Sequence, residues 1–283
     1  RAAASGLQLA TRRRSVPPMP YIDTHTHLDF AAFDPDRDQV LSDCARLGVE
    51  RLVVLGVTRS NWEGVWRLCQ QHDNLFAAFG LHPMFMADHQ PEHIAALQQN
   101  LAERLSAAQC CAVGEYGLDY WDKRADRAAQ KQLFEAQLQL AVDCKLPSLL
   151  HVRKAHADVI ATLKRYRPAR GGVIHAFSGS PEEASEYRKL GFKLGLGGAA
   201  TWPQAHRLRK TVAALPAEQI VLETDSPDMA PAFHAHQRNS PTLLPAIAAA
   251  LAELRAEPLD QFSARCWQNS CELFQWPCAA GQI

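Results

Sequence analysis

Eight short apolar runs alternate with segments of helical periodicity along this chain of 283 residues, and the alternation predicts an α/β fold. The connections between successive runs are too long for hairpins, so each should be a right-handed crossover between parallel strands. The length lies within the usual range of one barrel domain, and no break in composition marks a second. The sequence therefore predicts a (β/α)8 TIM barrel.

The predicted strands are rich in β-branched, aromatic and other apolar residues: 21–23, 51–57, 75–80, 110–114, 148–151, 172–175, 192–196 and 220–223. The predicted helices repeat apolar residues every three or four positions: 39–47, 62–71, 92–105, 127–144, 155–166, 181–190 and 204–215. Two more helical segments, 241–255 and 258–274, would close the domain. Gly48 and Gly191 follow helices as C-terminal caps do, and Ser180-Pro181 opens one.

The first 18 residues differ from the rest, because their only charged residues are four arginines. We expect residues 1–18 to be a disordered or added extension upstream of a natural start at Met19, and residues 19–283 to form the single domain. Without those arginines, 26 basic residues face 30 acidic ones, a formal charge of −4. Proteins that bind long duplex DNA usually carry a basic excess, so the composition disfavours that class.

Eight cysteines are scattered through the chain without a Cys-x-x-Cys pair, which favours reduced thiols in a cytoplasmic protein. No run approaches the roughly 18 apolar residues that a membrane span needs. We therefore expect no membrane association, no obligate protein partner and a monomer.

Candidate metal ligands stand where predicted strands end. His25 and His27 are two residues apart in a strand, so both imidazoles should share one face. The other candidates, each closing an apolar run, are Glu115, His151, His175 and Asp225. In a (β/α)8 barrel the carboxyl ends of the strands meet at one mouth, so these six side chains should converge there.

Four imidazoles and two carboxylates exceed the needs of one tetrahedral zinc ion, and a carboxylate can bridge two ions. The residues therefore predict two divalent ions (Mg, Mn or Zn) and hydrolysis by an activated water. We assign His25 and His27 to one ion, His151 and His175 to the other, Glu115 as the bridge, and Asp225 as both ligand and catalytic base.

Longer motifs surround these residues: Asp-Thr-His-Thr-His-Leu-Asp (23–29), Gly-Leu-His-Pro (80–83), Val-Gly-Glu-Tyr-Gly-Leu-Asp-Tyr (113–120), Leu-Pro-Ser-Leu-Leu-His-Val-Arg-Lys-Ala (146–155), His-Ala-Phe-Ser-Gly-Ser (175–180) and Leu-Glu-Thr-Asp-Ser-Pro (222–227). They resemble the signatures of the TatD-related deoxyribonuclease family, in particular its YjjV-type branch. The resemblance covers residues 19–276. It implies a barrel of the metal-dependent amidohydrolase type that cleaves DNA phosphodiesters, with the six ligands named above.

Residues near the ligands bear on the substrate, which we expect to be DNA ends or short single strands. His82 and Arg153 are the predicted substrate-binding residues, because strand-end loops converge on the mouth and Arg can bind phosphate. Met84 stands where many family members have a further His. We expect Asp119 to orient a ligand, and we assign the six tryptophans to the core or to helix packing.

Two other functions remain open. A C–N hydrolase of the amidohydrolase type would often bridge its metals with a carboxylated lysine on the fourth strand, whereas this chain has Glu115. A non-catalytic binding protein on a barrel is disfavoured by the complete ligand set.

Overall fold

The structure, a computed structural model, describes residues 19–278. Eight parallel strands lie side by side in chain order, which confirms the predicted (β/α)8 barrel. They are β1 (Tyr21–Thr26), β2 (Val49–Gly56), β3 (Leu75–Phe79), β4 (Cys110–Asp119), β5 (Ser148–Arg153), β6 (Gly172–Ile174), β7 (Phe192–Leu196) and β8 (Ile220–Leu222). The expectation for residues 1–18 lies outside the described residues.

The α-helices surround the strands. They are α1 (Arg37–Arg46), α2 (Trp62–Gln71), α3 (His93–Arg104), α4 (Arg127–Cys144), α5 (His156–Tyr166), α6 (Pro181–Lys189), α7 (His206–Ala214), α8 (Leu244–Arg255) and α9 (Leu259–Phe274). At the start of α6, Ser180 and Glu183 form a reciprocal capping box, which satisfies two amide groups that the helix leaves free. None of the helices between residues 19 and 278 is long and apolar enough to cross a membrane.

Apolar packing divides into two layers. One layer lies between the strands and the helices, and the other fills the barrel interior away from the mouth. We call this inner layer the floor; it contains Val53, Leu55, Ala78, Cys111, Ala112, Leu149, Val173 and Val221, with Leu273 and Phe274 of α9. Trp276 packs on Phe274 with ring centres 4.5 Å apart. The end of α9 therefore plugs the barrel opposite the mouth.

The seam between β1 and the chain after β8 lies at the mouth. Thr26 and Ser226 form a parallel bridge, and the Asp225 amide donates to the His25 carbonyl at 2.9 Å. Buried Asp23 accepts hydrogen bonds from the amide and hydroxyl of Thr224, and its burial raises its pKa to about 7. Closing the barrel therefore brings Asp225 beside the β1 histidines.

Strand β4 is longer than the predicted 110–114 and continues to Asp119, so Glu115 lies within it. The two glycines after Val113 resemble a strand end in sequence. In the structure β4 passes so close to β5 that a Cβ atom at Gly117 would collide with the His151 carbonyl oxygen. The glycine thus permits strand pairing here and does not end the strand.

Candidate metal centre

The six candidate ligands converge at the mouth of the barrel. His25, Glu115 and His151 project from strands, His27 and His175 follow β1 and β6 directly, and Asp225 lies three residues beyond β8. Within residues 19–278, three groups of metal-capable side chains meet the spacing that an ion needs, and all three lie here.

Four donor atoms surround one point. The Glu115 Oε2 atom lies 3.1 Å from His25 Nε2 and 3.4 Å from His27 Nε2. The Asp225 Oδ1 atom lies 3.6 Å and 3.5 Å from the same two nitrogens. The two β1 histidines thus face one oxygen of each carboxylate.

The other carboxylate oxygens face a second point. Glu115 Oε1 lies 3.2 Å from His151 Nδ1 and 3.9 Å from His175 Nε2. Asp225 Oδ2 lies 3.5 Å from the same His175 nitrogen. Only Glu115 was expected from the sequence to bridge, whereas in the structure both carboxylates span the two points.

The spacing of these atoms fits bound ions. Two ligand atoms, each about 2.1 Å from an ion, lie roughly 3 to 3.5 Å apart at ordinary coordination angles. Most of the distances around the two points are in or near that interval, and the His175–Glu115 pair is longer. The donor set of imidazole and carboxylate suits Zn or Mn, and its carboxylates also suit Mg.

In a candidate ligand histidine, the ring nitrogen that faces away from the two points also bears on metal binding. Its contact partner decides which nitrogen carries the proton and which keeps a lone pair for an ion. His27 Nδ1 lies 3.3 Å from the Leu55 carbonyl and must donate to it, so Nε2 keeps its lone pair for an ion. His151 Nε2 faces Asp119 Oδ2 at 2.9 Å, which leaves the Nδ1 lone pair free. His175 Nδ1 lies 3.0 Å from Glu223 Oε1, an ion-pair contact that does not have hydrogen-bond geometry.

His82 has the opposite arrangement. Its Nδ1 accepts a hydrogen bond from the Met84 amide, so a neutral ring carries its proton on Nε2. That nitrogen lies 3.0 Å from Glu115 Oε1. Burial lowers the pKa of His82 to about 4, so the ring is neutral at pH 7. His82 is therefore a hydrogen-bond donor that holds Glu115, an arrangement distinct from that of the candidate ligand histidines.

The electrostatics of the centre favour positive charge. Burial alone would lower the pKa of His27, but its hydrogen bonds to Asp225 and Glu115 raise it to about 10. Burial alone would raise the pKa of Asp225, but His175 and the two β1 histidines hold it well below its ordinary value. The carboxylates therefore stay charged and hold protons on nearby imidazoles, which divalent cations would replace.

Glu223 is a site residue that the sequence analysis missed. It is 1% exposed, and its Oε1 accepts a hydrogen bond from the Ala176 amide at 2.6 Å while facing His175. A Cβ atom at Gly195 would collide with this carboxylate. In sequence, Glu223 is only the polar end of an apolar strand, and nothing local indicates that it reaches a histidine on another strand.

The predicted substrate-binding residues lie in the same cavity. It has a volume of about 500 Å³ and is lined by His82 and Arg153 as well as by ligand histidines. The Arg153 guanidinium stacks on the indole of Trp121, 4.2 Å from the ring centre. Trp121 is 59% exposed, which contradicts its assignment to the core or to helix packing.

A barrel with this donor set at its mouth defines a metal-dependent hydrolase. Residues 22–275 match the family model described as TatD related DNase, and the chain belongs to the TatD-related DNase family.

Named relatives agree with this membership. The chain is 38% identical to the uncharacterized metal-dependent hydrolase YjjV of Escherichia coli K12, over 91% of this chain and 98% of that one. It superimposes on the crystal structure of the E. coli K12 TatD homologue YjjV with a TM-score of 0.87, at 37% identity over 91% and 98% of the two chains. It is 32% identical to the 3'-5' ssDNA/RNA exonuclease TatD of Erwinia tasmaniensis, over 89% of this chain and 98% of the relative.

Proposed function

We propose that this protein is a deoxyribonuclease that cleaves phosphodiester bonds at DNA ends or in short single strands, using two divalent ions. The observation that carries the proposal is the position of the Glu115 and Asp225 carboxylates. Each places one oxygen atom beside the β1 histidines and its other oxygen atom beside the histidines of the second point. A family relative named as an ssDNA/RNA exonuclease supports the choice of substrate.

His25 and His27 would hold one ion, and His151 and His175 the other, with Glu115 between them. When bound, such a pair lowers the pKa of a water molecule and stabilises charge on phosphate oxygens during displacement. The protein would fix the geometry of the pair by holding His27 and His151 through hydrogen bonds of their second nitrogens and by placing His175 beside Glu223.

Asp225 is the proposed catalytic base. Its carboxylate stays ionised at neutral pH, because nearby imidazoles lower its pKa. It lines the cavity and can therefore accept a proton from the attacking water. General-base assistance is typically worth about 10² to 10⁴ in rate.

His82 and Arg153 are the proposed substrate-binding residues. Both line the cavity beside the candidate ligands. Arg153 provides a permanent charge and N–H donors that suit phosphate oxygens. The one N–H of neutral His82 faces Glu115, so His82 would bind phosphate only by exchanging that partner for a substrate oxygen. The formal charge of −4 for residues 19–283 favours substrates that present few phosphates at once.

Turnover of bis(p-nitrophenyl) phosphate, with and without added manganese, tests the proposal. We expect release of nitrophenol that depends on the metal and disappears on chelation. Hydrolysis of a nitroanilide but not of the phosphodiester would favour the C–N hydrolase. Binding of single strands without turnover of any of these substrates would favour a binding protein.

A further inference from the structure

The rim of the catalytic cavity exposes several large apolar side chains. Met84, Phe85 and Met229 line the cavity and are 62%, 36% and 39% exposed. Trp121, 59% exposed, lines a neighbouring cavity together with Met84. Such a group of exposed apolar residues around a reaction cavity indicates a surface that meets a ligand.

One part of this rim is tied to the metal centre. The Trp121 amide donates to Asp119 Oδ1 at 2.9 Å, and Arg153 Nη1 lies 3.9 Å from Asp119 Oδ2. The same Oδ2 atom lies 2.9 Å from His151 Nε2. One carboxylate therefore contacts a candidate metal ligand, the backbone of Trp121 and the guanidinium of Arg153, which places the Trp121–Arg153 stack next to the candidate metal centre.

A second cavity of about 300 Å³ opens beside the first. Met84 and Arg153 line both cavities, so a substrate in one can extend into the other. The second cavity is also lined by Trp121 and by the carboxylates of Asp122 and Asp126. Those carboxylates would repel a phosphate, whereas the neutral part of a nucleotide can lie against them.

We propose that this side cavity is a subsite for the nucleobase next to the scissile phosphate, which stacks on the Trp121–Arg153 pair. Every base has an aromatic face, so the subsite would accept any of the four bases and show little sequence preference. Arginine planes stack on bases as indoles do. This inference rests on the proposed nuclease function and deepens it.

The subsite also gives a physical reason for single-stranded substrates. A base inside a duplex is stacked and paired, and it reaches a side cavity only after those contacts are broken at a cost of a few kcal/mol. A base at a free end or in a single strand has fewer such contacts to lose.

Kinetics of Trp121→Ala test the subsite with three substrates: a short single strand, the same strand with an abasic residue at each position in turn, and methyl p-nitrophenyl phosphate. Since base stacking is worth about 1–3 kcal/mol, kcat/KM on the normal strand should fall by about 5- to 150-fold. Turnover of methyl p-nitrophenyl phosphate should fall much less, because this substrate has no base to stack and loses only the support that Trp121 gives to Arg153. One abasic position should cause the same loss in the parent and no further loss in the variant.

Phe233→Ala is the matched control, because Phe233 is a similarly exposed aromatic residue that lines neither cavity. Fluorescence anisotropy of a labelled strand with chelator present gives an independent binding measurement, in which Trp121→Ala should bind more weakly and Phe233→Ala as the parent does. Equal kinetics of Trp121→Ala and the parent on normal strands, or equal losses on all three substrates, would overturn the subsite while leaving the nuclease proposal intact. A parent that hydrolyses none of the three would overturn both.

Discussion

The two ends of the barrel interior differ in chemistry although the same strands build both. In β5, Leu149 belongs to the floor, while His151, two residues further on, reaches the metal centre. In β6, Val173 belongs to the floor, and His175 follows two residues later at the mouth. Because alternate strand residues point the same way, β5 and β6 each place an apolar side chain in the floor and a histidine at the mouth.

This difference separates stability from catalysis. The floor is apolar and closed by α9, so its substitutions should act mainly on the free energy of unfolding. The mouth holds buried ionisable groups, and a buried charge is stable only when it is paired with an opposite charge, either on a neighbouring side chain or on a bound cation. Substitutions there should act mainly on metal binding and turnover.

The largest expected effect is on turnover in Asp225→Asn. The amide keeps the size of the side chain and one oxygen donor but lacks the basicity, so hydrolysis should fall by about 10² to 10⁴. The thermal transition should stay close to that of the parent. Rates of phosphodiester hydrolysis are measured with metal in excess; turnover near that of the parent would remove Asp225 from the base role.

A floor substitution should show the reverse pattern. Phe274→Ala removes a side chain that packs on Trp276 in the plug of α9, and such changes typically cost about 3–5 kcal/mol. Denaturant unfolding should show this loss, while kcat/KM of the folded variant at low temperature stays at the parental value. If Phe274→Ala were as stable as the parent but had impaired turnover, the assignment of stability to the floor and of catalysis to the mouth would be wrong.

Glu223→Gln sharpens the comparison within the mouth. The amide can still accept from the Ala176 amide, but it lacks the charge that holds His175, so affinity for one ion should fall by about 10- to 100-fold. Metal titration by calorimetry measures this, with the exposed residue change Glu253→Gln as the control. Unchanged affinity for both ions would show that Glu223 does not position His175.

The smallest expected effect is the binding of duplex DNA, because the composition has no basic excess to attract its phosphates. With a formal charge of −4 on residues 19–283, binding should be weak and depend only slightly on salt. A filter-binding assay at moderate ionic strength measures it. Tight binding with a steep salt slope would contradict the charge argument.

Sequence reasoning succeeded where a signal is local. Helices α2 and α4 have the predicted bounds, because their apolar periodicity lies within each segment. The six candidate ligands could be named because each closes an apolar run, and the barrel brings such positions together. Glu223 and Trp121 could not be assigned this way, since their environments depend on His175 and Arg153 from other strands.

The end of β4 shows a different limit. Glycine usually weakens a strand, so the sequence favours an end near Gly114. What continues β4 to Asp119 is its close approach to β5 at Gly117, a contact between segments that are far apart in the chain. The position of Asp119 beside His151 depends on that continuation.

The central claim is that two divalent ions bind at the mouth, and elemental analysis of the parent and of His25→Ala tests it most directly. The parent should contain up to two ions per chain after loading. His25→Ala should lose at least one, because His25 faces both carboxylates that span the two donor groups. Full occupancy in His25→Ala, or a parent that retains no ion after loading, would contradict the account.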